Sequence, residues 1–101
     1  MTTTIFRQTD NFQAYIEEVQ GTIFFHIHIY KWAISTYKHI IKAFKDACSS
    51  YKDKGVEMVF TTVKTPIMLK MCLHLADPFD VVEKQINNET VWIIGWDLEE
   101  V

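Results

Sequence analysis

The sequence predicts an α/β (α+β) domain: a mixed, mostly antiparallel sheet flanked by two helices. Three observations predict it. A single hairpin register sorts the side chains of two consecutive strands at once. A helix-spaced apolar stripe follows. A second helix start and a second hairpin pattern then complete the chain. At 101 residues the chain makes one small domain, residues 1–101.

The first hairpin turns at Gln20-Gly21, where glycine supplies positive φ. In that register Ile16 faces Phe25, Ala14 faces Ile27 and Phe12 faces Ile29. Phe12, Ala14, Ile16, Ile23, Phe25, Ile27 and Ile29 then share one side, and Tyr15, Glu17, Phe24, His26 and His28 take the other. The strand Thr22 to Tyr30 leads within a few residues into a helix over Tyr37 to Lys52. There Tyr37, Ile40, Ile41, Phe44, Cys48 and Tyr51 keep three-four spacing, and Lys38, Lys42, Lys45 and Asp46 fall on the wet side. Ser35 or Thr36 is the expected N-cap and Gly55 the expected C′ residue. Val56 to Val63 is a β-rich run with apolar residues on both faces, which suits a sheet interior. Strand, helix, strand predicts a right-handed parallel crossover. Thr65-Pro66 starts a second helix whose surface only Lys70 and His74 interrupt, so that helix is expected to be largely buried, and Asp77-Pro78 ends it. The final hairpin pairs Val81 to Ile86 with Val91 to Trp96 around Asn87-Asn88-Glu89.

Composition narrows the function classes. An apolar fraction of 49% with 23% charged residues belongs to a globular core, and 14% aromatics give each ordered residue much area to bury. A net charge of −3 argues against nucleic acid as a partner. No apolar run approaches the roughly 18 residues that cross a bilayer, and MTTTIFRQTD lacks the basic and apolar regions of a signal peptide. Cys48 and Cys72 sit at mostly apolar helix positions and read as buried reduced thiols, so the expectation is a cytoplasmic protein.

The order hairpin, long helix, strand, short helix, hairpin resembles the C-terminal two thirds of the GCN5-related N-acetyltransferase fold in minimal form. NFQAYIEEVQGTIFFHIHIY is similar to the paired strands before that family's cofactor loop, and YKHIIKAFKDACSSYKDKG to its cofactor-loop helix. TPIMLKMCLHLADPF and DVVEKQINNETVWIIGWDL are similar to the later helix and terminal strand pair, so the resemblance covers about residues 12 to 98. It implies acetyl-CoA as cofactor, with its pyrophosphate against the backbone of Ser35, Thr36 and Tyr37, and His74 at the position where the family often has a tyrosine acid. The family signature is Arg or Gln, two residues, Gly, one residue, Gly or Ala. Aligned on Ile40-Ile41, it falls on Trp32, Ser35 and Tyr37, and none matches. A phosphate-binding turn normally needs glycine for close backbone approach, and Lys31 to Tyr37 contains none. The scaffold is therefore expected without the cofactor chemistry. Small divergent versions of this fold occur in bacteriophage genomes, so the resemblance also implies a virion component or a host-directed inhibitor.

Several residues remain as candidate sites. His26 and His28 lie two apart on one strand face with Glu17, which can begin a metal site or form a hydrogen-bonded polar face. His74 with Lys70 can form a catalytic edge or a boundary of the short helix. Lys31, Lys38, Lys42 and Lys45 form a basic stripe that suits an acidic partner or simply a solvated face. Trp92 and Trp96 share a face of the last strand and Trp32 stands at the helix entry. A domain this small has few places to hide three indoles, which points to a protein interface, including self-association through the last strands. The expectation is thus a non-enzymatic binding or structural protein without a cofactor or metal. An acyl-CoA-dependent N-acetyltransferase with an atypical loop is the alternative.

Overall fold

A computed structural model of the chain describes residues 2–101. Its elements are β1 (Thr2–Gln8), β2 (Phe12–Val19), β3 (Thr22–Ile29), α1 (Ile34–Asp53), β4 (Met58–Val63), α2 (Pro66–Leu73), β5 (Asp80–Ile86) and β6 (Glu89–Asp97). The strands form one sheet in the order β1-β2-β3-β4-β6-β5. Only the β3–β4 pair is parallel. The fold is therefore a mixed α/β one, with a mostly antiparallel sheet and two helices.

The hairpin register is the expected one, with Phe12 opposite Ile29, Ala14 opposite Ile27 and Ile16 opposite Phe25. Gln20 and Gly21 both adopt positive φ, at 51° and 82°, which closes a two-residue turn whose twist matches its strands. Asn87 and Asn88, at 52° and 66°, close the second hairpin the same way. β1 is an element that the hydrophobic pattern did not reveal. It pairs along β2, and a bulge between Ile5 and Arg7 interrupts its alternation. Arg7 then donates to the Asp46 carboxylate at 3.0 Å, tying β1 to α1.

α1 begins one turn before the expected start. Ala33 is its N-cap and supplies no side-chain hydrogen bond, so Ser35 and Thr36 lie inside the first turn. At its other end Gly55, at φ 85°, donates to the Lys52 carbonyl while Val56 donates to the Tyr51 carbonyl. Together these bonds make a Schellman motif, which uses Val56 and delays β4 to Met58. α2 starts as expected, with the Thr65 hydroxyl accepting from the Met68 N–H at 3.2 Å and Pro66 in the first turn. Its expected burial is corrected: Met71 and Cys72 are buried, but Ile67 is 74% exposed. An all-apolar helix still turns only one face to a core, and here the other face meets solvent.

Both helices pack on the sheet face that carries Phe12, Ile16, Phe25, Val59, Ile94 and Trp96. Phe44 of α1 is the centre of this core, edge-on to Phe25 at 5.3 Å and to Trp96 at 4.6 Å. Trp96 is fully buried, and its indole N–H donates to the Ala76 carbonyl just beyond α2 at 3.0 Å. The opposite face carries a row of rings, Tyr15 beside His26, His26 stacked on Phe24, and Phe24 beside Phe60. Phe60 is registered against Gly95, where an added Cβ would stand 2.9 Å from the ring. Glycine thus lets the ring lie flat over β6.

Strand direction gives the body two distinct ends. At the upper end β3 and β4 finish and both helices start. At the lower end both helices finish and β4 and β5 start.

Candidate functional site

The upper end is the region where an open α/β sheet places a ligand, outside the carboxyl ends of parallel strands. Here β3 and β4 pair only at Ile23 with Val59 and at Phe24 with Phe60, and then part. A cavity of about 280 Å³ fills the parting. Phe25, Ile27, Val63, Met68, Leu75 and Trp96 give it apolar walls, and Thr61, Thr62, His26 and Lys64 give it polar points. Cys72 is also in the wall. Burial pushes its thiol up to about 12, so it is a protonated, weakly nucleophilic group at neutral pH. Burial does the same to Cys48.

The entry to α1 lies at the same end of the sheet. The Asn11 carbonyl accepts from both the Tyr30 and Lys31 N–H groups, at 2.8 and 3.1 Å, and so holds the connection in place. Thr36 is fully buried and its hydroxyl donates to the Lys31 carbonyl. Tyr37 packs against the core rather than over the helix end. Of the three residues proposed to meet a pyrophosphate, only Ser35 is exposed. The other large side chains of this entry are exposed, Trp32 at 53% and Ile34 at 83%. The first turn of α1 holds no acidic residue and no side-chain cap; the Thr36 N–H donates to the Ala33 carbonyl at 3.0 Å, and the Ile34 and Ser35 N–H groups make no hydrogen bond among the described residues.

The other candidates scatter. His74 is the C-cap of α2, exposed and about 12 Å along the helix from its start. It does not line the cavity, whereas His26 does. Lys70 is exposed one turn above His74. His26 Nε2 lies 3.6 Å from a Glu17 oxygen, while His28 is exposed and packs edge-on to Tyr30. No group of three metal-ligating side chains gathers among the described residues.

The three tryptophans part company. Trp96 is a core residue with its donor already used, which corrects its reading as a partner-binding side chain. Trp92 is half-buried and donates to Glu83 at 3.1 Å. Trp32 alone stands out from the surface. At the same end of the sheet Tyr30, 51% exposed, and Ile34 flank it in sequence, and Ile67 is exposed at the start of α2. The sequence reading did not single out Tyr30, Ile34 or Ile67, because their periodicity carries no sign of which end of a helix or strand is uncovered.

No protein-family model matches the chain, and no curated protein or solved structure matches it. Among the described residues no helix is long and apolar enough to cross a membrane.

Proposed function

We propose that this chain is a small binding or structural protein that uses an acetyltransferase-like scaffold as an interaction surface. The observation that carries the reading is the run Tyr30, Trp32 and Ile34, exposed at the entry to α1, with Ile67 exposed at the start of α2 on the same end of the sheet. Large apolar side chains grouped in this way mark contact sites, and an accessible indole is a frequent anchor of such contacts. A virion component or a host-directed inhibitor is the setting that the resemblance suggests. The test is Trp32→Ala and Ile34→Ser, each scored for complex formation in native lysate and for unfolding by urea. The reading expects lost binding with parental stability. Unchanged capture by both variants would refute this choice of surface.

The parting of β3 and β4 favours a second reading, an acyl-CoA-dependent N-acetyltransferase with an atypical loop. An apolar cavity with a few polar points, at the same end of the sheet as the start of α1, suits a slender chain ending in an anion. Ser35 would offer its N–H to phosphate, and His26 rather than His74 is the imidazole in reach of the cavity. Calorimetry with acetyl-CoA separates the two readings. Micromolar binding that Met68→Trp abolishes would replace the interaction reading with the enzymatic one.

A further inference from the structure

The charges of this molecule are sorted by end. At the lower end, Glu18 closes β2, Asp53 closes α1 and Glu57 precedes β4. Asp77 precedes β5, whose first residue is Asp80, Asp97 ends β6, and Glu99 and Glu100 follow it. Against them stand Lys52, which pairs with Glu99 at 3.7 Å, and Lys54. At the upper end Lys31 precedes α1, Lys38 lies early in α1, Lys64 precedes α2 and Lys70 lies along it. The acidic residues there are Asp10, Glu83 and Glu89; Glu89 is held by Lys64 at 3.3 Å, and Glu83 accepts from Trp92 and is followed by Lys84. Lys31, Lys38 and Lys70 form no ion pair among the described residues. A net charge of −3 therefore hides a body with a basic end and an acidic end.

Each end also carries uncovered apolar side chains. Trp32, Ile34 and Ile67 stand among the lysines. At the acidic end Phe79 is 66% exposed, and Leu73 and Val101 are each 38% exposed. The body measures 33 × 33 × 26 Å between Cα extremes, so an end is broad enough for the ~800 Å² per partner that a stable interface needs.

We propose that copies of this chain associate head to tail, the basic, aromatic upper end of one seating on the acidic lower end of the next. This rests on the interaction reading and names its partner as a second copy. The two surfaces differ, so the contact is heterologous and builds an open chain, or a ring where the rotation closes. Opposed charges steer the encounter, and the apolar side chains within each end supply the buried contact.

The test is sedimentation velocity of the parent and two charge-reversed variants, K31E/K38E for the upper end and E57K/D77K/E99K/E100K for the more heavily charged lower end. In the parent, the mean mass climbs above 11.9 kDa with protein concentration. The apparent dissociation constant rises at least about tenfold between roughly 0.02 M and 0.5 M salt. Each variant alone has like charges at both ends and stays at the monomer mass. Their equimolar mixture assembles again, because the reversed head of one matches the reversed tail of the other. Recovery on mixing also shows that both variants are folded. A parent that remains monomeric at low salt, or a mixture that stays monomeric while the parent assembles, overturns the proposal. In either case the lysate assay of Trp32→Ala still decides the interaction reading by itself.

Discussion

Three indoles in this chain have three different physical roles. Trp96 is fully buried, donates to Ala76 and meets Phe44. Replacing it by alanine removes transfer energy and leaves a cavity, a cost of about 3–5 kcal/mol. For a domain whose whole stability is roughly 5–15 kcal/mol, urea titration will find a large part of it lost in Trp96→Ala. Trp32→Ala, at an exposed site, shifts the same transition by no more than about 0.5 kcal/mol. Asp46 makes a different prediction. The hydrogen bonds from Arg7 and then Lys42 hold its carboxyl below its ordinary value of 3.8. A folded-state value below the unfolded one gives stability that is present above about pH 4 and lost as pH falls through the folded value. Asp46→Asn therefore flattens the acid limb of a stability profile measured between about pH 2 and 6.

At the scale of elements, local chemistry was readable wherever the side chain itself does the work. Thr65-Pro66 marked the start of α2 because the hydroxyl supplies the missing acceptor. Gly55 marked the end of α1 because its φ of 85° disfavours any side chain. An added Cβ at Gly55 meets nothing within 4 Å, so the cost of Gly55→Ala is purely conformational. A loss of about 1 kcal/mol in urea midpoint analysis is expected. The hairpin register was readable because a slip by one residue would have set the apolar side chains of one strand on the face opposite those of the other. Two elements were not readable for equally specific reasons. α1 starts behind Ala33, which caps with its backbone alone, so Ser35 and Thr36 drew the boundary inward. β1 lies at a sheet edge with Thr2 to Ile5 exposed, and its bulge removes the alternation that would have revealed it. The corner at α1 could be recognised as lacking glycine, but not that Trp32 and Ile34 stand exposed beside it. The sequence carries no trace of where two parallel strands part.

For the whole molecule, burial is uneven across the sheet. β5 is exposed along its entire length and touches only β6 within the sheet, whereas β3 and β6 lie beneath helices. Hydrogen exchange will accordingly open β5 amides by local fraying, with protection well below the global value reached in β3 and β6. Equal protection in all three would mean that the edge is covered in solution. The same arrangement leaves β1-β2-β3 and β4-β6-β5 as half-sheets that share only two rungs of ladder, at Ile23 with Val59 and at Phe24 with Phe60. Phe44, with Phe25 on one side of the parting and Trp96 on the other, rivets them across that seam. Trimming this one ring, rather than damaging either half, is therefore the way to let the halves swing apart while each keeps its own weave.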